Sequence, residues 1–598
     1  MFIPPSPLPT WNDELYLEFH RGCYTTHADQ KQQNRQCERL LYEAELFTSI
    51  AALLTQTPYP KASLERAWKQ ILFNQFHDIL PGSAIPEVYE DANRAWQEAR
   101  QVGDRIRDAA LRTIACQIIF PAPPYPDAKP IVVFNALNWE RSAVVTLQIP
   151  CDGEPSSPNW QIYSLEGDTI ETHCRTEANR HDSLSFWAEQ IPAIGYHGFW
   201  LCPSSPNLRK TQSQSPSALE DLGGEKDLCI ADLHPDSSPK FTLENEFLAV
   251  TINPATGDLS NIFDKIQQRE ILRDAGNQLQ AFQDHGQYWD AWNIDPNYAQ
   301  FPLAPAQLKA ISADRLGTLE TQIHVTRSIG QSTFKQSYRL QKGSPVLQIV
   351  TIADWQEQHI LVKAAFPLHL EADYASYEMP YGAIERPTQS QHDRDKAKWE
   401  VPALQWADLS DGHYGVSILS DYKHGYDSQP NQLRLTLLRG SEWPDPMADY
   451  RSHLFTYAIY PHRGNWQTAQ TVRRAYELNH PLQVVMLKTQ EPDAPHLTLP
   501  PIGQFLNLHA ENWILTAFKQ AEDHPEQWVL RGYECHGQTA KLSWQNSLGL
   551  LTDSLDSTTW RSTNLLEQPN VDDRANNPEE TAIEPWRIAT FLLNQRHS

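Results

Sequence analysis

A helical apolar pattern that leads into an imidazole and a carboxylate runs Trp68-Lys69-Gln70-Ile71-Leu72-Phe73-Asn74-Gln75-Phe76-His77-Asp78-Ile79-Leu80-Pro81-Gly82. Its larger side chains recur at helical spacing, at Trp68, Ile71, Leu72, Gln75 and Phe76. Ser63 is a suitable N-cap, and Pro81 followed by Gly82 ends a helix. We therefore predict a helix over 63–80 whose apolar face is buried and whose C-terminal end carries His77 and Asp78.

The residues alone leave two interpretations of His77 and Asp78 open. A His-Asp pair at a helix end is typical of capping and local hydrogen bonding. It is also typical of a metal or ligand site, but a single imidazole does not make one. The choice depends on the rest of the chain.

Apolar periodicity on either side of this segment predicts two more helices, from about Lys31 to Leu54 and from about Ile85 to Ile119. Short loops join the three, so we predict a three-helix bundle over 31–120. The Pro-rich segment 121–126 then acts as a stiff linker.

Beyond the linker the pattern changes to short alternating runs, which are typical of β-strands. We predict an α+β multidomain chain, a three-helix bundle followed by mostly antiparallel β-sandwich domains. The predicted domains are a small β-domain over 127–205, a polar loop over 206–240, a large β super-sandwich over 241–478 and a C-terminal β-sandwich over 479–598. Residues 1–30 precede the bundle.

Several segments carry long and specific motifs. They are WNDELYLEFHRGCYTT at 11–26, Lys31 with Asn34-Arg35 and Glu38, NQFHDILPG at 74–82, YWDAWNID at 288–295, MPYGAIERP at 379–387, and the region 400–462. This set closely resembles the retaining α-mannosidases of glycoside hydrolase family 38, and most of all their cytosolic, neutral-pH type. The resemblance spans nearly the whole chain.

The resemblance implies roles for two residues. In that family the His of the Phe-His-Asp run is a zinc ligand, and the Asp after it hydrogen-bonds mannose hydroxyls. These roles fall on His77, which would bind Zn²⁺ or Co²⁺, and on Asp78, which would contact an α-mannoside oligosaccharide.

The family's other ligands come from a Gly-His-x-His-x-Asp motif and a nucleophilic Asp, both in an N-terminal α/β barrel. No Gly-His-x-His-x-Asp occurs in this sequence. The His-x-Asp sequences at His27 and His234 do not follow strand-like apolar runs and are not that motif. We interpret the chain as the C-terminal portion of such an enzyme, begun at an internal Met, with 1–30 as the tail end of the barrel region. Its metal site is then incomplete, and we expect it to be inactive alone.

Retaining glycosidases use two carboxyl groups about 5–5.5 Å apart, one as nucleophile and one as acid/base. Glu18 is a candidate for the acid/base or for a residue of the pocket wall. The other interpretation is a solvated or salt-bridged Glu in a loop.

A second group of residues combines indoles with carboxylates, namely Trp289, Asp290 and Trp292 with Asp284 and Asp295. Such a set suits a wall that contacts sugar, and equally a core of Trp residues with Asp residues that cap turns. A charged cluster is also predicted, as a buried ion network or a pocket lining, from Glu385, Arg386, Asp408, Arg439, Asp445 and Asp449.

Composition excludes some functions. The 598 residues carry a formal charge of −25, and the pI is near 5.3. We therefore expect neither nucleic acid nor an anionic membrane as a partner. Eight cysteines without C-x-x-C spacing, and a start without a signal-peptide pattern, favour a reduced cytoplasmic location.

Two alternatives remain. One is a non-catalytic carbohydrate-binding or assembly subunit, which predicts mannose binding that survives a chelator and the His77→Ala change. The other is a split enzyme that completes a separately encoded barrel, whose signature is an exposed apolar face around His77. The enzyme-half interpretation predicts little mannose binding without the barrel.

Overall fold

The computed structural model describes residues 10–16, 18–150, 160–177, 181–203, 241–285, 289–487, 498–543, 548–569 and 580–596. The predicted polar loop over 206–240, with His234, lies outside the described residues. Helices precede a series of antiparallel sheets, so the predicted α+β class is confirmed. No helix in the described ranges is both long and apolar enough to span a bilayer.

Three helices pack together at the start: α1 (Ala28–Thr55), α2 (Lys61–Asn74) and α3 (Pro86–Ala115). They share a core that includes Leu41, Ile71 and Trp96. The Trp96 ring is fully buried, and its Nε1–H donates to Gln30 Oε1 at 2.9 Å. Burial of one apolar face on each helix stabilises this unit.

The predicted boundaries of α2 are wrong at both ends. Pro60 precedes the first turn in place of Ser63, and the helix ends at Asn74 rather than at 80. Asn74 Nδ2 donates to Ala92 O of α3, and Gln75 Nε2 donates to Asn34 and Glu38 of α1. These bonds to both neighbours turn the chain out of the helix before Pro81 is reached. Leu72 and Phe76, predicted to be buried, are exposed.

The small β-domain follows the linker. Its strands are β1 (Lys129–Asn135), β2 (Arg141–Pro150), β3 (Trp160–Tyr163), β4 (Thr169–Ile170), β5 (Thr172–Glu177), β6 (His181–Ile191) and β7 (Gly195–Pro203). One sheet contains β1, β3, β4 and β7, and the other has the order β2-β6-β5.

The large domain is built from antiparallel sheets. Its strands are β8 (Phe241–Glu244), β9 (Leu248–Ile252), β10 (Leu259–Asp264), β11 (Arg269–Glu270), β12 (Gln278–Gln283), β13 (Gln307–Leu316), β14 (Glu320–Ile329), β15 (Ser332–Gln341), β16 (Leu347–Asp354), β17 (Ile360–Pro367), β18 (Tyr374–Met379), β19 (Gly382–Pro387), β20 (Val401–Pro402), β21 (Trp406–Ser410), β22 (Tyr414–Ser420), β23 (Gly425–Gln429), β24 (Gln432–Arg439) and β25 (Ser452–Arg463). The short α4 (Asp393–Lys396) lies among them, and α5 (Thr471–Asn479) follows. The sheet β13-β14-β15-β16-β25-β22-β21-β18-β19 and the sheet β12-β17-β24-β23-β20 contribute to one apolar core.

The remaining strands are β26 (Gln483–Met486), β27 (Ile502–Gln504), β28 (Trp513–Gln520), β29 (Gln527–Glu534), β30 (Ala540–Ser543), β31 (Leu555–Thr563), β32 (Glu580–Ile583) and β33 (Ile588–Gln595). A four-member sheet has the order β28-β29-β33-β31. However, β26 pairs with β1, and β27 pairs with β7. The predicted boundary at 479 therefore does not separate the sheets, because the chain returns to the small β-domain before it enters the C-terminal one.

Helix α1 contacts each of the later domains. Tyr42 donates to Ala136 O of the small β-domain, Ser49 to Phe518 O of the C-terminal sandwich, and Arg39 to Asn479 O of α5. At its first residue, the Ala28 N–H donates to Asp449 of the large domain. This shared helix fixes the position of the bundle relative to the β-domains.

Several residues within 10–16 and 18–27 contact the large domain. Arg386 forms a bidentate pair with Glu14, with Nη2–Oε1 at 2.6 Å and Nε–Oε2 at 2.9 Å. The Arg21 guanidinium lies 4.3 Å from the Trp399 ring centroid and donates to Ala397 O. These contacts hold the segment that leads into α1.

Candidate functional site

The loop over 75–82 presents His77 and Asp78. Lys31 Nζ donates to the carbonyl oxygens of Leu80 at 3.0 Å and Pro81 at 3.2 Å, and Ile79 is buried. Gly82 has φ +90°, and a Cβ there would lie 2.4 Å from Thr26 O, so only glycine fits. The loop is thus fastened at its base while its tip faces outward.

His77 and Asp78 form an open pair at this tip. His77 Nε2 lies 3.3 Å from Asp78 Oδ2, and the imidazole is 77% exposed. The Phe76 ring lies 4.2 Å from the imidazole, centroid to centroid. Because α2 ends three residues earlier, the pair does not cap it. An incoming ligand can therefore reach both side chains.

The described residues do not by themselves provide a metal site. They contain no group of three or more His, Cys, Asp or Glu side chains arranged to hold an ion. Catalytic zinc takes three protein ligands and structural zinc takes four. His77 with Asp78 falls short of that set, so the zinc or cobalt that the resemblance implies does not fit the described residues of this chain alone.

Residues 22–27 connect the His77 loop to the predicted indole segment. The Gly22 N–H donates to Trp292 O at 2.6 Å, and Thr26 Oγ1 donates to Ala291 O at 2.9 Å. Cys23 lies between Gly22 and Thr26 in the chain. Burial raises the pKa of its thiol to about 11, and the charges of Asp78 and Arg439 also act on this pKa. The buried Gly22 and Thr26 thus link the segment that holds the His77 loop to the predicted indole segment through hydrogen bonds.

Three indoles cluster at the predicted indole segment. Trp289 and Trp292 lie 5.9 Å apart, centroid to centroid, and Trp443 lies 6.1 Å and 5.4 Å from them. Trp289 and Trp443 are exposed and Trp292 is partly exposed. We name the three the indole surface. The sequence analysis did not identify Trp443. The local sign of its role is that an indole lies among polar and turn-forming residues, in Ser441-Glu442-Trp443-Pro444-Asp445.

Asp290 forms hydrogen bonds that hold the indole surface in place. Its Oδ1 accepts a bond from Arg439 Nη2 at 3.0 Å, and its Oδ2 accepts the Glu442 N–H at 2.6 Å. Arg439 also pairs with Asp284 at 2.5 Å, and its side chain is 1% exposed. Since both carboxylate oxygens of Asp290 are occupied, it holds together the two loops that carry the indoles.

Glu18 belongs to the segment that precedes α1. Its side chain is exposed, and no hydrogen bond or ion pair between described residues joins it to His77 or Asp78. The acid/base role of Glu18 therefore stays a prediction.

The predicted charged cluster does not form a single unit, because its members lie in four separate groups. The groups are Arg386 with Glu14, Asp408 with His462, Arg439 with Asp284 and Asp290, and Asp445 and Asp449 with His27. Glu385 is exposed. Glu385 and Arg386 are adjacent in β19, so their side chains lie on opposite faces of the sheet.

The sequence analysis did not assign His27 to the metal-binding motif. In the structure His27 is buried and links two domains. Its Nε2 lies 3.0 Å from Asp445, its Nδ1 lies 3.2 Å from Asp29, and its ring stacks on Tyr89 at 3.7 Å. The His27 N–H donates to Asp449, and Arg451 pairs with Asp29 at 2.7 Å. The imidazole thus joins the start of α1 to the loop before β25.

We expect this link to make stability depend on pH. Burial opposes a charge on His27, but hydrogen bonds to Asp29 and Asp445 outweigh it and raise its pKa above the usual value of 6.5. A raised folded-state pKa contributes stability that is complete below about pH 6.5 and is lost as pH rises through the folded value. The His27→Gln variant should lose about 1.5–3 kcal/mol at pH 6 and less at pH 8.5, as measured by urea unfolding. An equal loss at both pH values would contradict this.

Comparisons with known proteins match three parts of the chain. The model described as "Alpha mannosidase middle domain" matches residues 18–114. "Glycosyl hydrolases family 38 C-terminal domain" matches 243–447, and "Glycosyl hydrolases family 38 C-terminal beta sandwich domain" matches 512–591.

Whole-chain relatives agree with these matches. Alpha-mannosidase 2C1 of Mus musculus is 30% identical over 98% of this chain and 51% of its own length, and that of Homo sapiens is 31% identical over 89% and 46%. This chain therefore spans about half the length of the curated relatives it matches. The crystal structure of an α-mannosidase from Enterococcus faecalis V583 has the same fold, with a TM-score of 0.74 at 18% identity over 96% of this chain and 68% of that one. The chain belongs to glycosyl hydrolase family 38, of which it contains the middle, C-terminal and C-terminal β-sandwich domains.

Proposed function

We propose that this chain is the part of a retaining, metal-dependent α-mannosidase that packs beside its catalytic α/β barrel. In this proposal His77 is one ligand of a Zn²⁺ or Co²⁺ ion, Asp78 binds hydroxyls of an α-mannoside oligosaccharide, and Trp289 and Trp292 line the substrate. An α/β barrel domain supplies the nucleophile and the other ligands. The net charge of −25 argues against nucleic acid or an anionic membrane as a partner, and the eight cysteines without C-x-x-C spacing support a cytoplasmic location.

One observation carries the proposal, namely the exposed apolar surface around the open His77–Asp78 pair. Leu72 is 59% exposed, Phe73 72%, Phe76 51% and Ile85 52%. Large apolar side chains grouped next to exposed polar groups are typical of a surface that another protein domain covers. A barrel that covers this surface would bring its own carboxylates and imidazoles to His77.

The chemistry also requires such a domain. Retaining glycoside hydrolysis needs two carboxyl groups about 5–5.5 Å apart around the scissile bond. Within this chain Asp78 can orient a sugar hydroxyl, and the indole surface can pack against the C–H face of a sugar ring. These residues bind and orient substrate, and they do not supply the nucleophile.

The test is an activity assay of the 598-residue chain with an aryl α-mannoside and added Zn²⁺ or Co²⁺. We expect no turnover above the buffer rate, because the described residues leave the donor set and the nucleophile incomplete. An intact family 38 α-mannosidase is the positive control. Turnover close to that of the intact enzyme, lost on His77→Ala, would overturn the proposal.

The indole surface favours a second candidate, a non-catalytic carbohydrate-binding or assembly subunit. Three clustered indoles with exposed faces suit weak sugar binding without a metal. This candidate predicts mannose binding that survives a chelator and His77→Ala but is lost on Trp289→Ala. Binding that is unaffected by Trp289→Ala would contradict it.

A further inference from the structure

Lys31 is a buried lysine at the start of α1 whose ammonium bonds three backbone carbonyl oxygens. The residue is 4% exposed. Its Nζ donates to Thr26 O at 2.5 Å, to Leu80 O at 3.0 Å and to Pro81 O at 3.2 Å. An ammonium has three N–H donors, so these bonds use all of them. Two segments that are more than 50 residues apart in sequence therefore meet at one charged group.

The charge on Lys31 is kept although the residue is buried. Burial lowers its pKa to about 8, and the charges of Asp449 and Asp29 oppose that shift. At pH 7 the amine is therefore protonated. Burial of an ammonium is costly unless it is well bonded, and here the bonds go to carbonyl oxygens. Because those oxygens belong to the backbone, the bonds fix the path of the chain itself.

On one side, Lys31 holds the loop that presents the open His77–Asp78 pair. Leu80 lies two residues after Asp78, and Pro81 follows it. Three carbonyl oxygens that converge on one buried point repel each other unless a cation lies between them. Without the ammonium the same oxygens would also be buried acceptors without a donor. Loss of the Lys31 charge should therefore move this loop.

On the other side, Thr26 extends the connection to the indole segment. Thr26 is fully buried. Its carbonyl oxygen accepts the bond from Lys31, and its Oγ1 donates to Ala291 O at 2.9 Å. Ala291 lies between Trp289 and Trp292 on the chain segment that carries both indoles. One residue thus bonds both the Lys31 ammonium and the segment of the indole surface.

We propose that Lys31 is a positioning residue, which fixes the His77–Asp78 loop relative to the indole segment through Thr26. The inference rests on the proposed function, in which His77 and Asp78 bind the metal and the mannoside and the indoles line the same substrate. Lys31 then acts on substrate binding through these residues and does not contact the substrate.

The test is NMR of the full chain without metal or sugar, read at the His77 ring protons and at the Trp292 indole N–H. The His77→Gln and Trp292→Phe variants assign the two signals. Lys31→Met keeps the length of the side chain and removes the ammonium, so it should shift both signals by more than a linewidth. Lys31→Arg restores a cation with several donors, and its signals should lie closer to those of wild type.

Arg327→Met is the matched control, because it also removes a buried cation. The Arg327 side chain is 1% exposed, and it pairs with Asp258 and donates to Asn277 O within the large domain. Its loss should lower the urea midpoint of unfolding but leave the His77 and Trp292 signals in place. A general loss of stability is thereby separated from a displaced loop.

Thr26→Val gives a milder test that decides the proposal if Lys31→Met does not fold. Valine has nearly the shape of threonine but lacks the hydroxyl that donates to Ala291 O, so the Trp292 signal should shift. The proposal is overturned if folded Lys31→Met leaves the His77 signal in place, if Arg327→Met shifts both signals as far as Lys31→Met does, or if Thr26→Val leaves the Trp292 signal unchanged. Since the measurement needs neither metal nor turnover, its result is distinct from that of the activity assay.

Discussion

Replacement of Arg439 by alanine should cost about 3–5 kcal/mol of unfolding free energy, because it leaves two carboxylates in a buried site without their cation. The Arg439 guanidinium bonds Asp284 at 2.5 Å and Asp290 at 3.0 Å, and it also bonds Asp290 O. Burial opposes the charge on Arg439, but the two carboxylates outweigh it and raise its pKa above the usual value. The charged network is therefore intact across the neutral pH range.

The effect should extend to the indole surface. Asp290 accepts the Glu442 N–H and so links the loop of Trp289 and Trp292 to that of Trp443. Loss of Arg439 removes one of its anchors, so the near-ultraviolet circular dichroism from the indoles should change in the folded variant.

Urea unfolding measures the stability change. Arg463→Ala, at the exposed end of β25, is the matched control and should stay within about 0.5 kcal/mol of wild type. Arg439→Lys keeps the charge but not the fork geometry and should lie between them. Equal stabilities of Arg439→Ala and Arg463→Ala would show that the network does not stabilise the fold.

Gly82→Ala should destabilise the protein by about 2–4 kcal/mol and displace the His77 loop, because it combines backbone strain with a steric clash. At φ +90° a side chain is strained, and its Cβ would lie 2.4 Å from Thr26 O. Thr26 also accepts a bond from Lys31 Nζ and donates to Ala291 O, so it has little room to move. The loop must move instead.

Gly412 offers a control for backbone strain alone. Its φ is +86°, and a Cβ there would meet nothing within 4 Å. Gly412→Ala should therefore cost only about 1–2 kcal/mol. The excess cost of Gly82→Ala in urea unfolding reports the clash, and a shift of the His77 ring protons in NMR reports the displacement. Equal losses of unfolding free energy in the two variants, together with unshifted His77 ring protons, would show that Gly82 does not fix the position of the loop.

Local pattern was sufficient for much of the architecture. Helical periodicity predicted α1, α2 and α3, and short alternating runs predicted that β-strands follow the linker. These patterns depend on residues within one or two turns of each other, where backbone geometry alone sets which side chains share a face. The long motifs around His77 and Trp289 were enough to suggest the family, which the domain matches confirm.

The same local patterns did not predict features that depend on contacts between distant segments. Spacing placed Leu72 and Phe76 on a buried face, but periodicity does not reveal whether a partner surface is present. Asn74 and Gln75 end α2 early through bonds to α3 and α1.

The sequence by itself determined the class of fold, the order of helical and β domains, and the pairing of His77 with Asp78, since each follows from neighbours along the chain. Only the tertiary structure decided that Trp443 joins Trp289 and Trp292, that His27 links α1 to Asp445, and that β26 and β27 complete the small β-domain. Their partners are far away in sequence, and no local pattern encodes which remote surfaces meet when apolar faces are buried and buried charges find partners.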